Sequence, residues 1–230
     1  HAVDTLTQRA VTERPADEKE SWARADVWYQ RGGTPPNTEQ AVVAGGQPDF
    51  KECYFVAPMA LDERCRLMFP EIYAANSWPE NADGFREDYL ELGKAVHEVG
   101  MDLLRACAKA LDLPEATFAE ATEGGPHVTR ALRSLPLDES QVGTDIVWGE
   151  EHTDFNLLTL LPGGRFYDPD GKRCDRPDPE SGLYLRARAT ADHPKGRMVH
   201  GRPPAGCLVA QVGQQLEILT GGRYQATPHV

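Results

Sequence analysis

Apolar positions along the chain follow two rhythms, one in each half. Between Phe85 and Leu113 they recur every third or fourth residue, at Phe85, Tyr89, Leu92, Val96, Val99, Leu103, Cys107 and Ala110. That spacing collects them into one stripe of an α-helix. Asp83 is placed to cap its start, and Pro114 stops it soon after Leu111. A helix that is apolar on one side has to cover something, most simply the face of a sheet. His97 lies beside the stripe, where a structural or solvated histidine is expected.

From Val128 the rhythm shortens. "FNLLTLL", "GLYLRARA", "GCLVAQVG", "QLEILTGG" and "RYQATPHV" are brief apolar segments set apart by Gly, Pro and Asp turns. Short strands punctuated in this way predict an antiparallel sandwich or barrel. Ahead of the long helix, "ADEKESWARADVWYQ" has helical character with Asp17 as its cap, and Arg31 to Pro48 reads as an irregular Gly- and Pro-rich loop. The fold class expected is mainly β with α in a single domain. A helical, loop-rich support over residues 1–127 would carry a β-rich core over residues 128–230.

Composition narrows the function classes. A net charge of −12 disfavours nucleic acid and anionic membrane surfaces as partners. Apolar content of 40% is ordinary for a globular protein, and no apolar run is long enough to span a bilayer. The five cysteines (Cys53, Cys65, Cys107, Cys174 and Cys207) are odd in number and lack Cys-x-x-Cys spacing, so inert thiols in a reduced, cytoplasmic setting are expected. No signal peptide is visible; the chain starts at His1 rather than at a methionine, so the natural N-terminus is expected to lie further upstream.

The chemistry-bearing stretch is "GEEHTDFNLLTLL". On a strand, residues two apart share a face, so His152 and Asp154 would project together while Thr153 points away. Two ligands from one strand are two of the three in a 2-His-1-carboxylate metal site, which leaves coordination positions open for substrate and oxygen. Among the other histidines, His1 is terminal, His127 follows a loop, and His193 and His200 flank a polar stretch. His229 ends the segment entered through Gly221 and Gly222, where it could face the His152 strand across an antiparallel sandwich.

Taken together, "GEEHTDFNLLTLL" and "LTGGRYQATPHV" resemble the isopenicillin N synthase-like branch of the Fe(II)/2-oxoglutarate-dependent oxygenases. The resemblance continues in "DEKE", "PDFKECYFVAP", "NSWPEN", the long helix and "PPAGCLVAQVG", in the family's order. It implies a double-stranded β-helix, a distorted jelly roll, backed by helices. It also implies iron ligands His152, Asp154 and His229, with 2-oxoglutarate and O2 as co-substrates, ascorbate as a stimulant and a small organic molecule as substrate. The family's Arg-x-Ser, some ten residues beyond the distal histidine, is not in this chain, which stops at Val230 and is expected to be truncated there. The Tyr-Pro step usual before the iron pair is replaced by "RALRSLPL"; Arg130, Arg133 and Ser134 are the candidates to seat the co-substrate, with plain surface positions as the alternative. Trp148, Phe155 and Phe166 could line a pocket or pack the core, and Glu150 could support the ligands or be solvated. Two rival readings are an iron oxidase of the same family that does not use 2-oxoglutarate, and an inactive jelly-roll binding protein.

Overall fold

The structure, a computed structural model, describes residues 15–39, 50–80, 82–136, 138–140, 149–168, 170–176 and 178–230. The chain divides into two compact units, His1–Trp148 and Gly149–Val230.

The first unit contains α1 (Ala16–Ser21), β1 (Gly32–Thr34), β2 (Lys51–Val56), α2 (Glu63–Met68), α3 (Phe85–Ala110), α4 (Thr117–Ala121) and β3 (Thr129–Ser134). The three strands form an antiparallel sheet in the order β1-β2-β3. Thr129–Ser134, read from sequence as the opening of the β-rich half, therefore pairs back onto this unit. The core is an aromatic cluster of Trp22, Tyr54, Val56, Phe85 and Tyr89, with Trp78, Leu90, Leu92 and Ala131 packed around it.

The long helix is present from Phe85 to Ala110, but its buried face is not the predicted stripe. Phe85 and Tyr89 are buried as expected, and the row then continues through Gly93, Gly100, Leu104 and Ala108, while Val99 is exposed. The reason is close approach. A Cβ on Gly93 would stand 2.6 Å from Pro58 Cβ and 2.7 Å from Thr129 Oγ1. The helix comes closest to its neighbours through residues that a hydrophobic pattern does not count.

Both expected aspartate caps are displaced. The cap of α3 is Gly84, with φ 76°, a left-handed turn that glycine adopts without strain. Pro15 precedes α1, and Asp17 lies within its first turn, where a carboxylate favours the positive end of the helix dipole.

The second unit contains β4 (Leu158–Leu161), β5 (Phe166–Tyr167), β6 (Arg173–Cys174), β7 (Tyr184–Ala187), β8 (Arg197–His200), β9 (Val209–Val212) and α5 (Gln214–Leu219). Its strands pair antiparallel as β4-β9, β5-β6 and β7-β8. "QLEILTGG", expected as a strand, is α5 and its following turn. Gln, Leu and Glu are good helix formers, and Leu216 is buried while Ile218 and Leu219 are exposed, which is not the alternation of a strand. "RYQATPHV" is irregular up to Pro228 and joins a sheet only at His229. The sheets of both units are antiparallel and accompanied by helices, a mixed α/β arrangement. Among the described residues, no helix is long and apolar enough to cross a membrane.

Candidate metal centre

His152 and His229 are brought together by backbone pairing. The His152 N–H donates to the His229 carbonyl and the His229 N–H to the His152 carbonyl, both at 2.9 Å. Residues that exchange both bonds across antiparallel chains send their side chains to the same face, and the two imidazole centroids lie 4.4 Å apart. The histidines thus stand side by side in one sheet rather than facing each other across a sandwich. On its other edge, His229 bridges to Leu185 of β7, and Tyr184 and Val230 exchange backbone bonds at 2.9 Å.

Asp154 completes the group. Its Oδ1 lies 3.6 Å from His152 Nε2 and 3.8 Å from His229 Nε2. With metal–ligand bonds of roughly 2.1 Å, two donors on one ion stand roughly 3–4 Å apart, so this spacing suits a shared cation. Among the described residues these are the histidine, cysteine and acidic side chains, three or more together, that could hold a metal ion; their donor atoms lie within 4.8 Å of one another.

The backbone fixes which nitrogen faces the centre. His152 Nδ1 lies 2.7 Å from the Glu150 carbonyl, and His229 Nδ1 lies 3.0 Å from the Thr227 carbonyl. A carbonyl only accepts, so each Nδ1 carries the proton and each Nε2 presents a lone pair toward Asp154. When the imidazoles carry a second proton, the Asp154 carboxyl is held down to about 2, first by the His152 N–H, then by the Thr159 hydroxyl and the charge on His229, against the opposing effect of burial. It is therefore an anion at any pH where the imidazoles are neutral. His229 is buried while the His152 side chain is about half exposed, so the group is closed on one side and open on the other.

The remaining candidates from sequence have partners of their own. Arg133 is bonded to the buried Glu52 at 2.6 Å. Arg130 lies 3.6 Å from Glu39 and over the Phe55 ring, and Ser134 pairs in register with Lys51. All three are on β3 in the first unit. Phe155 is largely exposed, Phe166 carries the Arg176 guanidinium over its ring, and Trp148 lies outside the described residues. The carbonyl of Glu150, rather than its side chain, supports the centre. His97 and His127 form their own ring contact in the first unit, and His200 stacks on Tyr184. No disulfide joins the five cysteines.

Several supporting residues were not anticipated. Thr159 on β4 donates to Asp154 Oδ2 at 2.5 Å and accepts from Asn156 at 2.9 Å. Gln214 N–H donates to the Asp154 carbonyl and its side chain to Thr153, which ties the ligand segment to the start of α5. Arg186 makes a two-pronged bond to Glu151, spanning the His229 segment that lies between their strands. One signal was legible for Thr159, the lone polar residue in an apolar strand. The others depend on pairings between distant segments.

No family model matches the chain. It is 30% identical over 196 residues to the 2-oxoglutarate-Fe(II) type oxidoreductase hxnY of Emericella nidulans, covering 83% of this chain and 50% of that protein. It is 29% identical over 199 residues to the 2-oxoglutarate-dependent ethylene/succinate-forming enzyme of Ralstonia nicotianae, covering 81% of this chain and 54% of that one. The chain thus spans about half the length of the curated relatives it matches. Among solved structures, a protein assigned to the 2OG-Fe(II) oxygenase family from Caulobacter crescentus superposes with a TM-score of 0.72 at 27% identity, over 99% of this chain and 65% of that one. T7H of Neurospora crassa, solved with alpha-KG, superposes with a TM-score of 0.71 over all of this chain and 63% of that one; at 18% identity this is a likeness of fold. Together these likenesses are consistent with the isopenicillin N synthase-like reading, and the chain belongs to the Fe(II)/2-oxoglutarate-dependent oxygenases.

Proposed function

We propose that this chain provides the metal centre of an oxygenase that uses Fe(II), 2-oxoglutarate and O2 to oxidise a small organic substrate. The observation that carries the proposal is the donor set itself: two imidazole Nε2 atoms, oriented by backbone acceptors, converge on one anionic carboxylate. A 2-His-1-carboxylate face suits Fe(II) and leaves half its coordination positions for other ligands. The antiparallel strands of the second unit are read as parts of a double-stranded β-helix, in keeping with the solved relatives.

His152 and His229 would bind through Nε2, and Asp154 through its carboxylate. Iron, when bound, would activate O2 as the oxidant, with 2-oxoglutarate supplying two electrons as it is converted to succinate and CO2. The protein's own work is positional. The paired backbones of His152 and His229 fix the spacing of the imidazoles, and the Glu150 and Thr227 carbonyls hold their tautomers. Thr159 steadies one carboxylate oxygen and leaves the other toward the histidines. Arg133 and Arg130 are already engaged by Glu52 and Glu39, which supports a structural role for them rather than co-substrate binding.

The relatives' names support 2-oxoglutarate use over an oxidase that dispenses with it. Protein supplied with Fe(II), ascorbate and 2-oxoglutarate should form succinate slowly without added substrate, and Asp154→Ala should abolish this. Background succinate from protein with iron demonstrably bound would overturn the proposal.

A further inference from the structure

On the strand opposite Thr159 lies a buried amide with no partner. Gln211 of β9 pairs in register with Thr159 of β4. Its relative exposure is 4%, and among the described residues its Nε2 has no hydrogen-bond partner. Residues directly opposite in an antiparallel pair put their side chains on the same face, with Cβ atoms roughly 5 Å apart. The Thr159 hydroxyl identifies that face, because it bonds Asp154 Oδ2. Gln211 therefore emerges from β9 on the side of the strand pair turned toward the metal ligands.

The buried amide needs an acceptor. A primary amide carries two N–H donors, and leaving buried donors unsatisfied is unfavourable enough that such groups are rare in folded proteins. The Thr159 hydroxyl next to it already donates to Asp154 and accepts from Asn156. The position itself does not require polarity: Thr159 and Gln211 interrupt strands otherwise built of Leu, Val and Ala.

We propose that Gln211 is a ligand-contacting residue, whose side-chain amide donates a hydrogen bond to a carboxylate oxygen of the 2-oxo acid held at the His152-Asp154-His229 centre. This rests on the function proposed above and adds a residue of this chain to co-substrate recognition. The amide is a neutral donor, so it binds an anionic oxygen without adding a cation beside the metal ligands.

The test separates metal from co-substrate. Mn(II) binding is titrated first, then 2-oxoglutarate is titrated by calorimetry into the Mn(II)-loaded protein, for wild type, Gln211→Leu and Gln211→Glu. Loss of one hydrogen bond to a charged group should weaken 2-oxoglutarate by about tenfold in Gln211→Leu. Gln211→Glu, close in shape but anionic, should weaken it further, while Gln211→Leu binds Mn(II) within about twofold of wild type and Gln211→Glu binds it no more weakly than wild type. Unchanged 2-oxoglutarate affinity in both variants, or a parallel fall in Mn(II) affinity, would overturn the assignment of Gln211 alone. A wild type that takes up Mn(II) but no 2-oxoglutarate would overturn the functional reading together with it.

Discussion

Tyr89 in the first unit and the histidine pair in the second use their polar atoms in opposite ways. In the first, Tyr89 is almost completely buried, and its hydroxyl donates to the Tyr54 carbonyl at 2.6 Å and accepts from Ala131 N–H at 2.7 Å. Those bonds tie α3 to both β2 and β3, and burial pushes the phenol well above its usual range. In the second unit, His152 and His229 each spend one ring nitrogen on the backbone and keep the other aimed at Asp154. The difference separates scaffold from site. A satisfied buried group adds rigidity, whereas converging lone pairs beside an anion are unfavourable until something positive joins them.

Gly213 gives the strongest way to break this comparison, because it marks a close approach in the second unit. A Cβ on Gly213, between β9 and α5, would meet the Asn156 carbonyl at 2.0 Å, a backbone atom with little room to yield. Gly213→Ala should destabilise by at least about 3 kcal/mol in urea unfolding. It should also weaken metal binding, because Asn156 bonds Thr159, which bonds Asp154. Intact metal affinity in a folded Gly213→Ala protein would contradict that chain of supports.

Tyr89→Phe sharpens the contrast from the scaffold side. Removing the hydroxyl leaves Ala131 N–H without that acceptor, and should destabilise by about 1–3 kcal/mol. Its metal affinity should match the wild type, and a matched pair of denaturation and metal titrations would show whether stability and site separate in this way.

Thr159→Val is the smallest change and acts directly on the site. The isosteric variant removes the hydroxyl that steadies Asp154. Support residues of this kind typically contribute ten- to hundredfold in metal affinity, and the lower end, about tenfold, is expected here because the carboxylate keeps both histidine neighbours. An unchanged affinity would reduce Thr159 to a packing residue.

How much was readable beforehand follows the same division. The long helix, its aromatic start at Phe85 and Tyr89, and the sites of β4, β7 and β9 were legible, because burial imposes a period on the sequence. The rest of the helix face was not, since Gly93 is buried through close approach to Pro58 and Thr129, and neither it nor the buried Gly100 counts in a hydrophobic pattern. "QLEIL" alternates like a strand yet folds as α5, where local helix preference and the tight fit at Gly213 decide. His152, Asp154 and His229 are named from the sequence as the proposed ligands, and their donor atoms lie within 4.8 Å of one another. Their arrangement was misjudged, since nothing local in "HTD" or "TPHV" tells a pairing within one sheet from a contact across two. Gln211 and the Glu151–Arg186 brace require a strand register that no single segment encodes.

The central claim is that these three side chains act as one metal centre. The most direct test is an anaerobic Fe(II) titration of wild type, His152→Ala, Asp154→Ala and His229→Ala, read by equilibrium dialysis. One tight ion per chain is expected in the wild type, with affinity reduced by more than about a hundredfold in each variant, beyond what loss of a supporting residue produces. Wild-type affinity retained in any one of the three would contradict the account.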